Sequence, residues 1–268
     1  MEPDYDEPGE ATPAVNEDWL ELPTGLEGSQ YYVNSFFAGG ERNYTHLYDA
    51  ENYLSLWTAY PLKASHMGSN SRPGWQYNPE IDEDLQPNLC SGSYSGDTYS
   101  RGHMIPNGAR NGIKEMQKQT FYVTNSVPQR QNKFNGSIWN AMENAIRGIV
   151  SGSNEEIYIV TGVALNKVGE NKKVEYITPS KDTKQCAIPN YFYTVVLRVN
   201  KSGSSLTDAQ AVGFWFEHKD YSNNAYEDYT VSVNQIEEWT GFDFFVNLPD
   251  DLEAEAERNS SWTTLKNF

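Results

Sequence analysis

Tyr99-Ser-Arg-Gly-His-Met-Ile-Pro-Asn-Gly108, YSRGHMIPNG, sets an arginine and a histidine two residues apart just before a Pro-Asn-Gly turn signal. In an extended segment residues i and i+2 project from one face, so Arg101 and His103 can address one ligand, and an anion is the natural guest. The following stretch, TFYVTNSVPQRQNKFNGSIWNAMENAIR (residues 120–147), predicts a strand at TFYVTN and a helix from Asn135 to Val150, so that the order is strand, loop, strand, loop, helix. Along that helix Asn135, Trp139, Glu143 and Arg147 recur at steps of four, a slowly drifting stripe on which an amide and a carboxylate can approach one ion from adjacent turns. Both are hard oxygen ligands suited to Mg²⁺. Taken alone, Glu143 and Arg147 also read as an ordinary i,i+4 surface pair worth about 0.3–0.5 kcal/mol.

Outward from this unit, YTHLYDA and YLSLWTAYPL form a hairpin signal, and EIYIVTGVAL, YFYTVVLRV and AVGFWFEH read as strands apolar on both faces and therefore central. SVNQIEEWTG predicts a helix with a capping box between Ser232 and Gln235 and a stop at Gly241. Mixed element order without repeats or regular βαβ alternation predicts an α+β fold. The 268 residues, 38% hydrophobic and 13% aromatic, are enough for one large core, and no window approaches the roughly 18 apolar residues of a membrane span. Residues 1–27, proline-rich and acidic without Lys or Arg, read as a disordered tether, and 28–268 as one domain.

The net charge of −17 argues against a polyanionic partner until its distribution is considered. Between Arg101 and Arg147 seven basic residues face only Glu115 and Glu143, an asymmetry that focuses an anion at one locality or is simply a solvated basic face. Cys90 and Cys186 either pair or are two buried thiols.

The joint pattern Arg101-Gly102-His103, Asn125-Ser-Val-Pro128-Gln129, then Asn135, Trp139 and Glu143 resembles the sugar-nonspecific DNA/RNA endonucleases of the ββα-metal superfamily, over roughly residues 30–262. That resemblance implies a ββα-metal fold with a central, mostly antiparallel sheet flanked by helices. It also implies hydrolysis of DNA and RNA with Mg²⁺ (Mn²⁺ as an alternative), leaving 5′-phosphate ends. By the same resemblance His103 is the general base, Asn135 the direct metal ligand, Glu143 a carboxylate acting through metal-bound water, and Arg147 and Arg101 phosphate-binding cations. Asn125 positions the active-site loop, and Arg72 falls near a further phosphate-contacting arginine. Ser100 stands where the family carries aspartate, which places a hydroxyl where a charge would serve the ion's hydration shell.

Two other functions share these residues: a nucleic-acid-binding module with weakened catalysis, and a metal-dependent phosphodiesterase of a small substrate. His46, His66 and His218 read as packing or surface residues. Asn135-Gly-Ser is a glycosylation sequon centred on the expected ligand, so a eukaryotic secretory route is disfavoured. Bacterial export to periplasm, surface or medium fits the acidic opening.

Overall fold

The computed structural model describes residues 19–96 and 98–268. Seven strands, β1 (Tyr31–Ala38), β2 (Glu41–Asp49), β3 (Leu54–Lys63), β6 (Glu156–Ala164), β9 (Tyr191–Ser202), β10 (Ser205–Glu217) and β11 (Thr230–Val231), make one sheet in the order β1-β2-β3-β6-β9-β10-β11. Every pairing in it is antiparallel. The short pairs β4 (Tyr99–His103) with β5 (Ser126–Arg130) and β7 (Glu175–Ile177) with β8 (Cys186–Ile188) stand outside it. The helices are α1 (Lys114–Gln119), α2 (Asn140–Val150), α3 (Val233–Thr240), α4 (Asp250–Ala256) and α5 (Trp262–Lys266).

The central strands are apolar on both faces because each face has its own core. In β9, Phe192 and Val196 pack with Met142 and Ile146 of α2, whereas Tyr191, Tyr193, Val195 and Leu197 pack with Ile236 of α3 and Ala256 of α4. The period of two thus assigns the β4-β5-α2 unit to one side of the sheet and α3 and α4 to the other. The expected hairpin is β2–β3, with Leu47 opposite Trp57. In α3 the Ser232 side chain accepts the Gln235 N–H and Gly241 stops the helix at φ 77°. Only half of the capping box forms, since the Gln235 amide turns to Glu238 at 2.7 Å.

Three expectations are corrected. TFYVTN is not a strand: Val123–Asn125 is a 3₁₀ turn, and the strand begins at Ser126. The buried Asn125 side chain donates to the Thr120 carbonyl at 2.8 Å, a local bond that folds the backbone back on itself where periodicity alone reads extension. The helix expected from Asn135 is a π-helix over Gln131–Trp139 that becomes α-helical only in α2, and the Asn140 N–H reaches back five residues to the Asn135 carbonyl.

The expected tether of residues 1–27 meets the described residues only from Trp19. There Leu20 and Leu22 are buried against Leu47 and Trp57, and Glu21 pairs with Arg42, so the folded part starts earlier than residue 28. Residues 1–18 lie outside the described residues. Both thiols are free, Cys186 buried beside Leu89 and Tyr94 with Cys90 packed against the same cluster.

Candidate active site

The antiparallel pair β4–β5 places Ser100 opposite Gln129 and His103 opposite Ser126. Gly102 lies between the two candidate side chains because nothing larger fits: a Cβ there would sit 2.3 Å from Gln129 Oε1 and 2.6 Å from Gln129 Cβ. Arg101 and His103 therefore reach the same cleft, of about 550 Å³, which is also lined by Arg72, Ser100, Asn135, Glu143 and Arg147. Asn135 enters from the π-helix and Glu143 from α2. A π turn holds more residues than the 3.6 of an α turn, which offsets the drift of an α-helical stripe over eight residues and returns both side chains to one face.

The orientation of the Asn135 amide follows from its partners. Ser100 Oγ donates to the Gln129 carbonyl at 3.1 Å, and that hydroxyl has one proton, so toward Asn135 it can only accept. Asn135 Nδ2 donates to it at 2.8 Å, which leaves Oδ1, claimed by no donor among the described residues, as the atom free for a ligand. An unclaimed amide oxygen with a carboxylate in the same cleft is a donor set that fits a hard divalent ion with water completing its shell.

His103 packs against both Trp75 and Phe121, each 4.7 Å from its ring centroid, and those two rings touch each other at 5.1 Å. Burial first, then the charges of Arg72 and Arg101, pushes its pKa down to about 3, so the ring is neutral through the physiological range. Its Nε2 is buried without a hydrogen-bond partner among the described residues. Trp75 and Phe121 were not singled out in the sequence. They meet because the Gln76 N–H donates to the Phe121 carbonyl at 3.0 Å and the Val123 N–H to the Gln76 carbonyl at 2.9 Å, contacts between segments some 45 residues apart.

The arginines differ in how free they are. Arg72 is exposed at the cleft rim. Arg101 uses Nη1 on the carbonyls of Leu89 and Gly92, at 2.8 and 3.1 Å, and lies 5.1 Å over Trp75, which holds its guanidinium beside His103. Arg147 Nη1 is 3.5 Å from Glu143 Oε2, and its Nη2 donates to Asn144 at 2.7 Å. Only 16% and 17% of the Arg147 and Glu143 side chains is exposed, so this is no surface pair. Burial raises the Glu143 carboxyl, and Arg147 pulls it back.

Asn125 lies behind the cleft and not in it. Its Oδ1 accepts the Ile105 N–H at 3.0 Å, its Nδ2 donates to the Ile105 and Thr120 carbonyls, and its own carbonyl accepts the Met104 N–H at 2.9 Å. It fixes the loop that follows His103, a positioning role.

Arg110 leaves the expected basic surface altogether. Fully buried, it donates to Asn43 Oδ1 at 2.6 Å and to the carbonyls of Asn43, Pro61 and Ala109. Arg130 is paired with Asp220 at 3.0 Å. None of the other histidines lines the cleft, and each is held by hydrogen bonds. His46 meets Asn34 and Ser55, His66 meets Glu41 and Arg110, and His218 meets Arg130 and Pro189.

A family model described as DNA/RNA non-specific endonuclease matches residues 29–251. A nuclease of Nostoc sp. is 27% identical over 224 residues, covering 81% of this chain and 76% of that protein. The mitochondrial nuclease EXOG of Xenopus laevis is 26% identical over 240 residues, covering 85% of this chain and 61% of its own length. The nuclease of Serratia marcescens is 22% identical, covering 81% and 80%. Among solved structures, the EndoG/EndoGI complex superposes with a TM-score of 0.66 at 21% identity, over 84% of this chain and 91% of that one, which shows the shared ββα-metal fold. With 223 of its 268 residues inside one family model and its cleft built on that fold, the chain belongs to the DNA/RNA non-specific endonucleases, metal-dependent enzymes that hydrolyse nucleic acids.

Proposed function

We propose that the cleft hydrolyses phosphodiester bonds of both DNA and RNA with one Mg²⁺-type ion, Mn²⁺ substituting, and leaves 5′-phosphate ends. The observation that carries this reading is the convergence of a neutral His103 and an oriented Asn135 amide in one cleft with Arg72, Arg101 and Arg147. An ion held directly by Asn135 would supply Lewis-acid neutralisation of the departing 3′ oxygen. His103, neutral and packed against two aromatic rings, accepts a proton from the attacking water. Arg72, Arg101 and Arg147 bind the phosphate, and an anion seated among them offsets the positive charges that depress His103, which strengthens it as a base. Glu143, steadied by Arg147, would act on such an ion through a water molecule.

Backbone contacts by arginine carry no base information, so cleavage has little sequence preference and falls steeply with added salt. Ser100 in place of aspartate is compatible with catalysis, since it still orients the ligand. The compartment is one in which the Asn135 sequon escapes glycosylation, and bacterial export fits that condition and the acidic opening. Plasmid and RNA cleavage with Mg²⁺, with excess chelator, and with end-group analysis of the products tests the reading. Cleavage indifferent to chelator, or confined to one recognition sequence, overturns it.

A further inference from the structure

Across the sheet from the cleft, a second concentration of oxygen ligands stands apart from the catalytic residues. α3 stops at Gly241, the chain turns through Asp243, and α4 returns to end at Glu257. This path brings one carboxylate oxygen each of Glu237, Asp243 and Glu257 within 4.8 Å of one another. Two oxygens bound to a common Ca²⁺ at about 2.3–2.6 Å can be no farther apart than roughly 5 Å, and all three separations meet that limit.

The cluster alone would be unremarkable on a solvated surface, but Glu257 is not on the surface. It is only 6% exposed, and among the described residues no donor group reaches its buried Oε1, the hydrogen bond open to its carboxyl being a proton shared with Glu237. Among the described residues no Lys, Arg or His forms an ion pair with any of the three. Burying an unpaired acceptor is costly, and more so when it is charged, so the site asks for a cation or a proton.

The surrounding backbone holds the oxygens in place. The Phe244 N–H donates to Glu237 Oε1 at 2.9 Å, the Asp243 N–H donates to Thr24 Oγ1 at 2.9 Å, and the Thr24 N–H donates to the Asp243 carbonyl at 2.8 Å.

We propose that Glu237, Asp243 and Glu257 form a second metal site, distinct from the catalytic one, that binds a hard divalent cation of the Ca²⁺ class and ties α3, the Asp243 turn and the end of α4 to the segment at Thr24. Carboxylates from three separate segments, one of them exposed and open to water, suit the flexible and water-completed shell of Ca²⁺ better than the strict octahedron of Mg²⁺. Without an ion, burial and the neighbouring charges of Glu237, Glu253 and Asp243 raise the Glu257 carboxyl, so a proton and a cation compete for the same oxygens.

Calorimetric Ca²⁺ titration and thermal melting of the full chain test the proposal, with Asn135→Ala as the parent so that the cleft lacks its expected direct ligand. One Ca²⁺ should bind, and a hundredfold excess over Kd should raise Tm by about 4 °C or more. Glu237→Gln/Glu257→Gln should bind none, show no rise, and melt without Ca²⁺ at or above the parent's Tm, because the amides mimic protonated carboxyls. Asp243→Asn, at an exposed position, should weaken binding at least tenfold while leaving the metal-free fold intact. No Ca²⁺ response in the parent would mean that the carboxyls only share protons, and an undiminished response in the double variant would put the ion elsewhere. Either result overturns the site.

Discussion

Ser100 Oγ bridges the Gln129 carbonyl, at 3.1 Å, and the Asn135 amide, at 2.8 Å, so a single hydroxyl proton decides which atom of Asn135 faces the cleft. Ser100→Ala removes both bonds and lets the amide turn either way. Metal affinity, measured by direct binding titration, should fall by about 10- to 100-fold, the usual cost of losing a partner that orients a ligand. Ser100→Asp can still accept from Asn135 but sets a carboxylate against the Gln129 carbonyl. It should recover affinity relative to alanine while lowering Tm relative to serine. Equal metal affinity in all three proteins would show that Ser100 does not orient the ligand.

His103 offers a different separation, between chemistry and stability. Among the described residues its Nε2 makes no hydrogen bond that a substitution would break, and its ring is only one of three in the mutually touching Trp75–His103–Phe121 cluster. His103→Ala should lower cleavage by about 10² to 10⁴, the usual contribution of a positioned general base, while Mg²⁺ affinity stays near that of the parent. Retained turnover in pure, folded protein would remove His103 from the mechanism.

Arg110 should behave in the opposite way. Its guanidinium serves Asn43, Pro61 and Ala109, so Arg110→Ala leaves several buried acceptors without donors and opens a cavity. A loss of about 3 kcal/mol or more in denaturant unfolding is expected, with the remaining folded enzyme cleaving at near-normal rate. Arg72→Ala, at the exposed rim, should do the reverse: weaker substrate binding with a shallower salt dependence and unchanged stability.

The contrast between Arg110 and Arg147 shows where the sequence is informative. Periodicity and spacing were enough to place β2, β3, β6, β9, β10 and α3 and to set Asn135, Glu143 and Arg147 on one helical face, whereas only the family resemblance joined His103 to them; all four line one cleft. Local pattern carries those features because each depends on which face of one element a residue occupies. Arg110 looked like surface charge because the partners that bury it, Asn43 and Pro61, lie 67 and 49 residues earlier. Trp75 and Phe121 were missed for the same reason. The strand expected at TFYVTN failed because Asn125 spends its side chain on nearby backbone, a choice fixed by burial and invisible to alternation. The π-helix left no periodic signal, since the spacing of four suited an α-helix equally well.

His218 links acid stability to the geometry of the cleft. The Arg130 N–H, at the end of β5, donates to His218 Nε2 at 2.9 Å, and the opposite ring nitrogen, Nδ1, lies 2.8 Å from the Pro189 carbonyl. Nε2 must therefore stay unprotonated while Nδ1–H donates. Burial, the main cause, together with the Arg130 charge and against the pull of Pro189 and Asp220, lowers its pKa to about 4, whereas the unfolded chain titrates near 6.5. The folded pKa is depressed, so the unfolded state binds the proton first. The stabilisation is fully present above about 6.5 and is lost as pH falls from there toward 4. His46 and His66, depressed to about 3 and about 4, act in the same direction, while the raised Glu253 and Glu257 oppose them. The test is thus a difference of slopes: between pH 6.5 and 5, unfolding free energy should change less steeply in His218→Gln than in the parent, by about 1 kcal/mol per pH unit. Protonation of His218 also breaks the bond that holds Arg130. Amide exchange at the β4–β5 pair should therefore quicken in the parent as pH approaches 4, after correction for the intrinsic rate. Identical slopes in the two proteins would show that His218 titrates alike in the folded and unfolded chain.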